Sequence, residues 1–404
     1  MAYYLHQQQR MAIKQRAAGW LGRSELPTWG IIFCVYGGWF SVTACWQTLG
    51  PLLATPLLIL LTTWYMSLQH ELIHGHPTRR DGFNQLFGLL PLAVWFPWRL
   101  YRDSHLQHHR DEELTLPGFD PETYYYSQEQ WRRWPRLFPL LAAVRNTLAG
   151  RVALGPLIDI VGTLKNGLHK IAAGDGAELR MWIGHLLMLA GVFWWLDLHG
   201  IAAFWYLAAV SYPALGLTKI RSFYEHRAED NPAARSVLNE AGPLWRLLFL
   251  NLNYHLVHHD LPGLPWYELR RVWLADREAY RQRSENFVVN GYSAWFEAHL
   301  LSPVAVNVHP FSSSDRRAND CFTADVSLQA AAGGIAVAGV EDRHARAHAA
   351  CQPELARSPA AALAAARSAA QPDLRLSADD RAAVGAGGGR FSLRRAGLRR
   401  RALS

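Results

Sequence analysis

Apolar and polar positions along this chain fall into long blocks rather than a fine alternation. A mostly apolar stretch covers residues 29–49, and after Gly50-Pro51 a second covers 52–68. Each approaches the roughly 20 residues that a helix needs to cross hydrocarbon. The break between them allows only a tight reversal, so the two limbs are expected to form a hairpin whose ends return to one side. A second hairpin is expected from residues 181–196, a break at 197–200, and residues 201–217. Between the hairpins, the apolar run 86–98 is interrupted by Pro91 and Pro97. Its length suits an interfacial or re-entrant segment better than a span. Residues 137–164 are moderately apolar but carry Arg145, Arg151 and Asp159, and read as a helix pair at the membrane surface. The expected fold class is all-α: a polytopic membrane protein with four transmembrane helices in two hairpins.

Lys and Arg near the ends of the spans set the orientation. Arg10, Lys14, Arg16 and Arg23 precede the first hairpin, and Arg79 and Arg80 follow it. Arg180 precedes the second, and Lys219 and Arg221 follow it, while neither turn holds a Lys or Arg. Both termini and the polar segments are therefore expected on the cytoplasmic side of an integral, multi-pass membrane protein. Residues 1–27 hold no apolar core or small-residue cleavage site, so no secretory leader is expected.

After residue 302 the texture changes. Residues 303–404 are rich in Ala, Arg, Gly, Ser and Asp, with no Lys. Such a composition cannot bury enough apolar surface to offset chain entropy. The chain is thus read as a domain at 1–302 and a disordered tail at 303–404, the latter conceivably an out-of-frame extension of a GC-rich gene.

Composition refines this picture in three places. The net charge of +8 over 404 residues is concentrated in the tail rather than on a basic face with interleaved aromatics, so nucleic acid is not the expected partner. Four Cys form no CxxC and no even ladder, which argues against a disulfide framework or a zinc knuckle. Eighteen His is a high count, and their placement is ordered.

Three clusters stand out: His70-Glu71-Leu72-Ile73-His74, His105-Leu106-Gln107-His108-His109 and His255-Leu256-Val257-His258-His259. On a helix, positions i, i+3 and i+4 share a face, so each cluster offers two or three imidazoles from one short piece. Eight imidazoles exceed what one four-coordinate zinc can use, but suit two irons. All three clusters fall on the same expected side of the membrane. A ninth candidate ligand, His226, sits in Arg221-Ser222-Phe223-Tyr224-Glu225-His226-Arg227. His76, offset by two from His74, is expected behind the site or at the surface, and His169, His185 and His199 are read as structural. Imidazole ligands need partners on their other nitrogen. Glu71, Asp103, Asp111, Asp120, Glu225, Asn251, Asn253 and Asp260 are candidates.

With these residues in hand, the chain resembles the membrane fatty acid desaturase family over roughly residues 25–300. The likeness rests on HELIHGHP at 70–77, HLQHHRDEELTLPGFDPE at 105–122, RSFYEHR at 221–227 and NLNYHLVHHDLPGLPW at 251–266. It implies two membrane hairpins under a cytoplasmic helical cap, with a non-haem di-iron site held by the boxes. It also implies O2 as co-substrate and two electrons from a redox partner. The extended tail has no counterpart in that family.

No haem-binding His-Pro-Gly-Gly motif and no Cys-rich segment is fused to the boxes. The electron donor is therefore expected to be a separate ferredoxin or cytochrome b5-like protein with its reductase. The substrate is expected to be a lipid or acyl chain, on glycerolipid, CoA or acyl carrier protein. Two other readings stay open: a hydroxylase or ketolase of the same fold acting on a carotenoid, alkane or sphingolipid, and a non-enzymatic membrane protein that binds haem between His pairs. Trp64, Trp95, Trp98, Tyr101 and Trp266 are candidates for lining an acyl channel or for an interfacial belt.

Overall fold

The computed structural model describes residues 7–310, and they are mostly helical. The first hairpin pairs α1 (Leu26–Ala44) with α2 (Trp46–Ile73). The chain reverses at Cys45 and kinks again at Gly50, whose φ of 68° and ψ of 159° lie outside the helix region. Glycine carries no Cβ penalty there, and Pro51 has no amide hydrogen to lose. The break predicted at Gly50-Pro51 is thus present, with one helical turn added before it.

Residues 81–97, which take in most of the run expected to be interfacial or re-entrant, do not form a span. A short helix (Asp81–Leu89) gives way to irregular backbone whose Leu92 and Val94 are buried in the main core. Buried non-helical backbone needs partners for its carbonyls, and here side chains supply them. Tyr65 Oη donates to Leu90 O at 2.5 Å, and Tyr206 Oη to Leu92 O at 2.7 Å. Ser211 Oγ donates to Ala93 O at 2.6 Å, and His185 Nε2 to Val94 O at 2.7 Å. The structural role expected of His185 is this one.

The next helix, α3 (Trp98–His108), begins with Trp98 packed on Gly88. A Cβ at position 88 would lie 2.3 Å from that ring. The apolar region expected to form a helix pair does so, as α4 (Leu137–Arg145) and α5 (Leu148–Ala172), bent by 118°. The second hairpin pairs α6 (Gly176–Leu198) with a helical run over 203–221 that passes through a π-helical stretch (Tyr206–Ser211) into α7 (Tyr212–Arg221). Its turn is closed by Gly200 at φ 75°.

By length and composition, α2 and α6 can cross a membrane, and the bent pair α4–α5 makes a third candidate. At 23 residues, α6 reaches roughly 34 Å, enough for the hydrocarbon core. Tyr206 joins the layers: it is fully buried, accepts from Trp39 Nε1 of α1 at 2.8 Å and donates to the 81–97 segment.

The polar cap contains α8 (His255–Asp260) and a two-residue parallel pairing of β1 (Leu238–Asn239) with β2 (Val288–Val289). The chain stays packed past residue 302. Val304 N donates to Asn146 O at 2.9 Å, Val304 and Val306 are buried, and Tyr126 bridges to Val308. The predicted edge at 302 thus falls inside this packed segment, because alternate apolar residues of 304–306 continue the core. Of the tail expected to be disordered, residues 311–404 lie outside the described residues.

Candidate metal centre

Each histidine cluster is placed by a different element. His70 sits in the last turn of α2 and His74 caps it. His105 and His108 end α3, with His109 as its cap. His226 follows α7 and is held by a bridge to Ser236. The third cluster forms α8 after a turn in which Leu250 and Asn251 take positive φ. Asn251 Nδ2 closes that turn on Trp266 O at 3.0 Å.

All nine sequence-predicted histidines come together, in two groups. His70, His74, His105, His109 and His258 form one; His108, His226, His255 and His259 form the other. Within each group the ring nitrogens lie within 4.8 Å of one another. The grouping does not follow the sequence clusters. In the second and third clusters, the i and i+4 members share one group and the i+3 member joins the other. On the shared face, the i+3 and i+4 rings are about 100° apart around the helix axis and flank the i ring, so they can serve different groups.

The Nε2 atoms face inward. His74 and His105 approach at 3.0 Å, His105 and His109 at 3.1 Å, and His109 and His258 at 3.0 Å. In the second group, His108–His226, His226–His255 and His255–His259 approach at 3.1, 3.0 and 3.1 Å. The Nδ1 atoms face outward: His105 bonds Glu122 at 3.0 Å and His108 bonds Asp120 at 2.9 Å, while His255 Nδ1 lies 3.0 Å from Glu225 Oε1 without a hydrogen bond. His259 Nδ1 lies 3.4 Å from Asp111, and His226 Nδ1 is 3.2 Å from Ser236 Oγ. At His105 and His108 the carboxylate acceptors favour the proton on Nδ1, and across both groups the Nε2 atoms point at one another. Such a cage repels itself unless a cation stands at its centre. An octahedron of metal–nitrogen bonds of about 2.1 Å has edges of about 3.0 Å, which matches the spacing found. His70 Nε2, buried without a hydrogen-bond partner, points to the same need. The donor set therefore fits two metal ions.

Electrostatics favour neutral rings around the site except at His108. Burial, with neighbouring rings adding to it, holds His109, His226, His255 and His258 well below the usual histidine range. Burial also lowers His108, but Asp120 and Glu122 outweigh it and the pKa is pushed up to about 9. Burial raises Glu225 to about 7 against the pull of Arg221.

Not every expected partner serves the site. Asp103 is turned outward to Arg99 and Arg102, Asp260 pairs with Arg283, and Asn253 caps Asn239 O. Glu71 lies 3.7 Å from His70 Nδ1 and accepts from Trp266 N at 3.2 Å. Two partners lie outside the expected set. Glu122 was signalled only by its place beside Asp120 across Pro121, and Ser236 by nothing local. His76 is fully buried, with Nδ1 2.8 Å from Glu25 Oε1, so the surface alternative for it does not hold.

A cavity of about 550 Å³ opens on His70, His108 and His226, a size suited to a small organic ligand. Of the five aromatic residues expected along a channel, Tyr101 lines it. Trp64 instead donates to Leu247 O at 3.0 Å and Trp98 is locked against Gly88.

Comparison with known proteins accords with this geometry. The family model for fatty acid desaturases matches residues 46–289. The chain belongs to the fatty acid desaturase family. It is similar to the sn-1 oleoyl-lipid 12-desaturase of Picosynechococcus sp., at 23% identity over 308 residues, covering 68% of this chain and 82% of that one. Membership makes it an oxidoreductase of lipid metabolism, associated with membranes and acting on a lipid. Within the desaturase fold, the matched stretch takes in every residue of both histidine groups.

Proposed function

We propose that this protein desaturates a fatty acyl chain at a di-iron centre, with O2 as co-substrate and two electrons from a separate ferredoxin or cytochrome b5-like donor and its reductase. The observation that carries the reading is the pair of histidine groups with inward Nε2 atoms 3.0–3.1 Å apart. His70, His74, His105, His109 and His258 would hold one iron, and His108, His226, His255 and His259 the other. Two iron ions bound there would supply the oxygen-activating chemistry that removes two hydrogens from neighbouring methylenes.

The chain's own residues do the rest. Glu122 and Asp120 orient His105 and His108 and keep each Nδ1 protonated, and Glu225 places its carboxylate 3.0 Å from His255 Nδ1. The cavity holds the acyl chain beside His70, His108 and His226 and limits the water around the reacting carbons; positioning of this kind governs rate steeply. Haem ligation fits poorly, because rings whose Nε2 atoms stand 3.0–3.1 Å apart leave no gap for a planar macrocycle.

We further propose four spans, with α1 and the 203–221 run completing the two hairpins, and the termini and metal centre on the cytoplasmic side. Exposed Cys45 at the first turn offers a test. An impermeant maleimide should label it in intact cells and not in inverted vesicles. The opposite pattern would reverse the orientation.

The functional test is mass spectrometry of lipids and pigments from a host making the wild type or His109→Ala. Acyl chains two mass units lighter, only with the wild type, are expected. Products that gain one oxygen would replace desaturation by hydroxylation, and products that gain one oxygen and lose two hydrogens would replace it by ketolation.

A further inference from the structure

Two different walls enclose the cavity beside the histidines. One comes from the 81–97 segment and α3, and is largely apolar: Pro91, Ala93, Val94, Phe96 and Leu100. The other comes from the α4–α5 bend and α7 and carries Arg145, Arg151, Asp159 and Lys219. A hydrocarbon chain gains from the first wall and nothing from the second.

The charges on the second wall do not cancel. Asp159 is taken by Lys219, which also donates to Tyr124 Oη at 3.1 Å. Arg151 is completely buried. Among the described residues, no carboxylate forms an ion pair with it or with Arg145. Arg151 Nε donates to Arg145 O at 3.0 Å and Nη2 reaches Asn146 Oδ1 at 3.4 Å, but Nη1 is buried without a partner. Arg145 Nη2 donates to Tyr124 O, while its Nε is likewise buried and unpartnered. The Tyr124 ring stacks on Arg151, with Cζ 3.6 Å from the ring centre, and Tyr126 lies under Arg145 at 4.5 Å. These rings hold both guanidinium planes in place. Burying a charge without a paired counter-charge is costly. Asp159 is the carboxylate whose field reaches both guanidinium groups, and its direct ion pair is with Lys219, so one carboxylate faces three cations and leaves room for an anion.

We propose that Arg145 and Arg151 form a subsite for the carboxylate or phosphate of the acyl substrate, with the apolar wall receiving the chain. This rests on the acyl-substrate reading above, the carboxylate belonging to an unesterified chain and the phosphate to a headgroup or carrier. Guanidinium groups match both oxyanions through paired N–H donors, and the fixed wall would set which methylenes lie beside the histidines.

The test is equilibrium binding to the purified, iron-loaded full chain in neutral detergent. Two matched pairs are compared: oleate with oleyl alcohol, and dioleoyl phosphatidate with dioleoylglycerol. In at least one pair the anion should bind about 10- to 100-fold more tightly, as charge-assisted hydrogen bonds imply. The pair that shows the preference identifies carboxylate or phosphate. Arg151→Gln should bring that pair to parity, and Arg151→Lys should restore part of the preference. Should Arg151→Gln not fold, Arg145→Gln and competition by inorganic phosphate against the wild type read the same contact. His109→Ala should keep the preference while losing turnover, which separates this subsite from the metal chemistry. Equal binding within both pairs, or a folded Arg151→Gln that keeps the preference, would overturn the subsite. Failure of all four lipids to bind would overturn the acyl-substrate reading with it.

Discussion

Replacing His109 by alanine takes one imidazole from the five-membered group and leaves the fold around it in place. Iron content should fall and turnover should vanish, while membrane insertion, followed by fractionation, stays normal. Retained activity would count heavily against the metal assignment. The carboxylates behind the rings act more gently. Asp120→Asn or Glu122→Gln frees a ring nitrogen without removing a ligand, and should cost about 10- to 100-fold in metal affinity, measured by competition with a chelator. Protonation gives a third expectation. With metal stripped, burial holds His105, His109, His226, His255, His258 and His259 below their ordinary range. The unfolded chain takes up protons near pH 6.5 that the folded chain refuses. Stability should therefore fall as pH drops through about 6.5, by ~1.4 kcal/mol per pH unit for each such proton. His108, pushed up to about 9, runs oppositely: its contribution is full below about pH 6.5 and fades as pH rises through about 9. Glu225, raised to about 7 by burial, also runs oppositely, gaining stability as pH falls through about 7. These two oppose the other six, so chelated protein should still melt at a lower temperature at pH 5.5 than at pH 7.5. An unchanged melting temperature would show that those rings are not buried neutral.

The elements that carry these side chains were legible to different degrees. The apolar blocks gave α2, α6 and the α4–α5 pair because length and hydropathy are local properties. The histidine clusters were legible because i, i+3 and i+4 spacing has a geometric meaning on any helix. Their division into two groups was not, since it depends on where α3 and α8 end relative to α2. A non-spanning segment could be expected from Pro91 and Pro97, but its carbonyl partners could not. Tyr65, Tyr206, Ser211 and His185 look like ordinary helix residues until the segment is laid against them. Tyr206→Phe tests that role. It leaves Trp39 Nε1 without its acceptor and Leu92 O without its donor, at a cost of about 1–3 kcal/mol for each buried group left unpaired. The melting temperature should drop, and iron content should be unaffected below the transition. A variant as stable as the wild type would mean that water or lipid replaces the hydroxyl.

For the chain as a whole, composition marked a change near residue 302, but composition cannot see a short segment that packs in trans. Val304, Val306 and His309 are buried, and Thr115 Oγ1 lies 3.0 Å from His309 Nε2. We expect truncation after residue 310 to leave turnover unchanged, and truncation after 302 to lower the melting temperature. Equal loss in both would assign the remaining tail a role.

The inward-facing nitrogens also bear on how the molecule comes to be made. His74 meets His105 across 31 positions, His108 meets His226 across 118, and His109 meets His258 across 149. A metal ion in either group would act as a late clasp on strands of chain that leave the ribosome far apart in time. Neither group is complete before α8 is synthesised, so a metal ion held by a full group would be captured only after that point. Iron supplied after synthesis should rescue protein made without it only while the metal-free chain survives proteolysis.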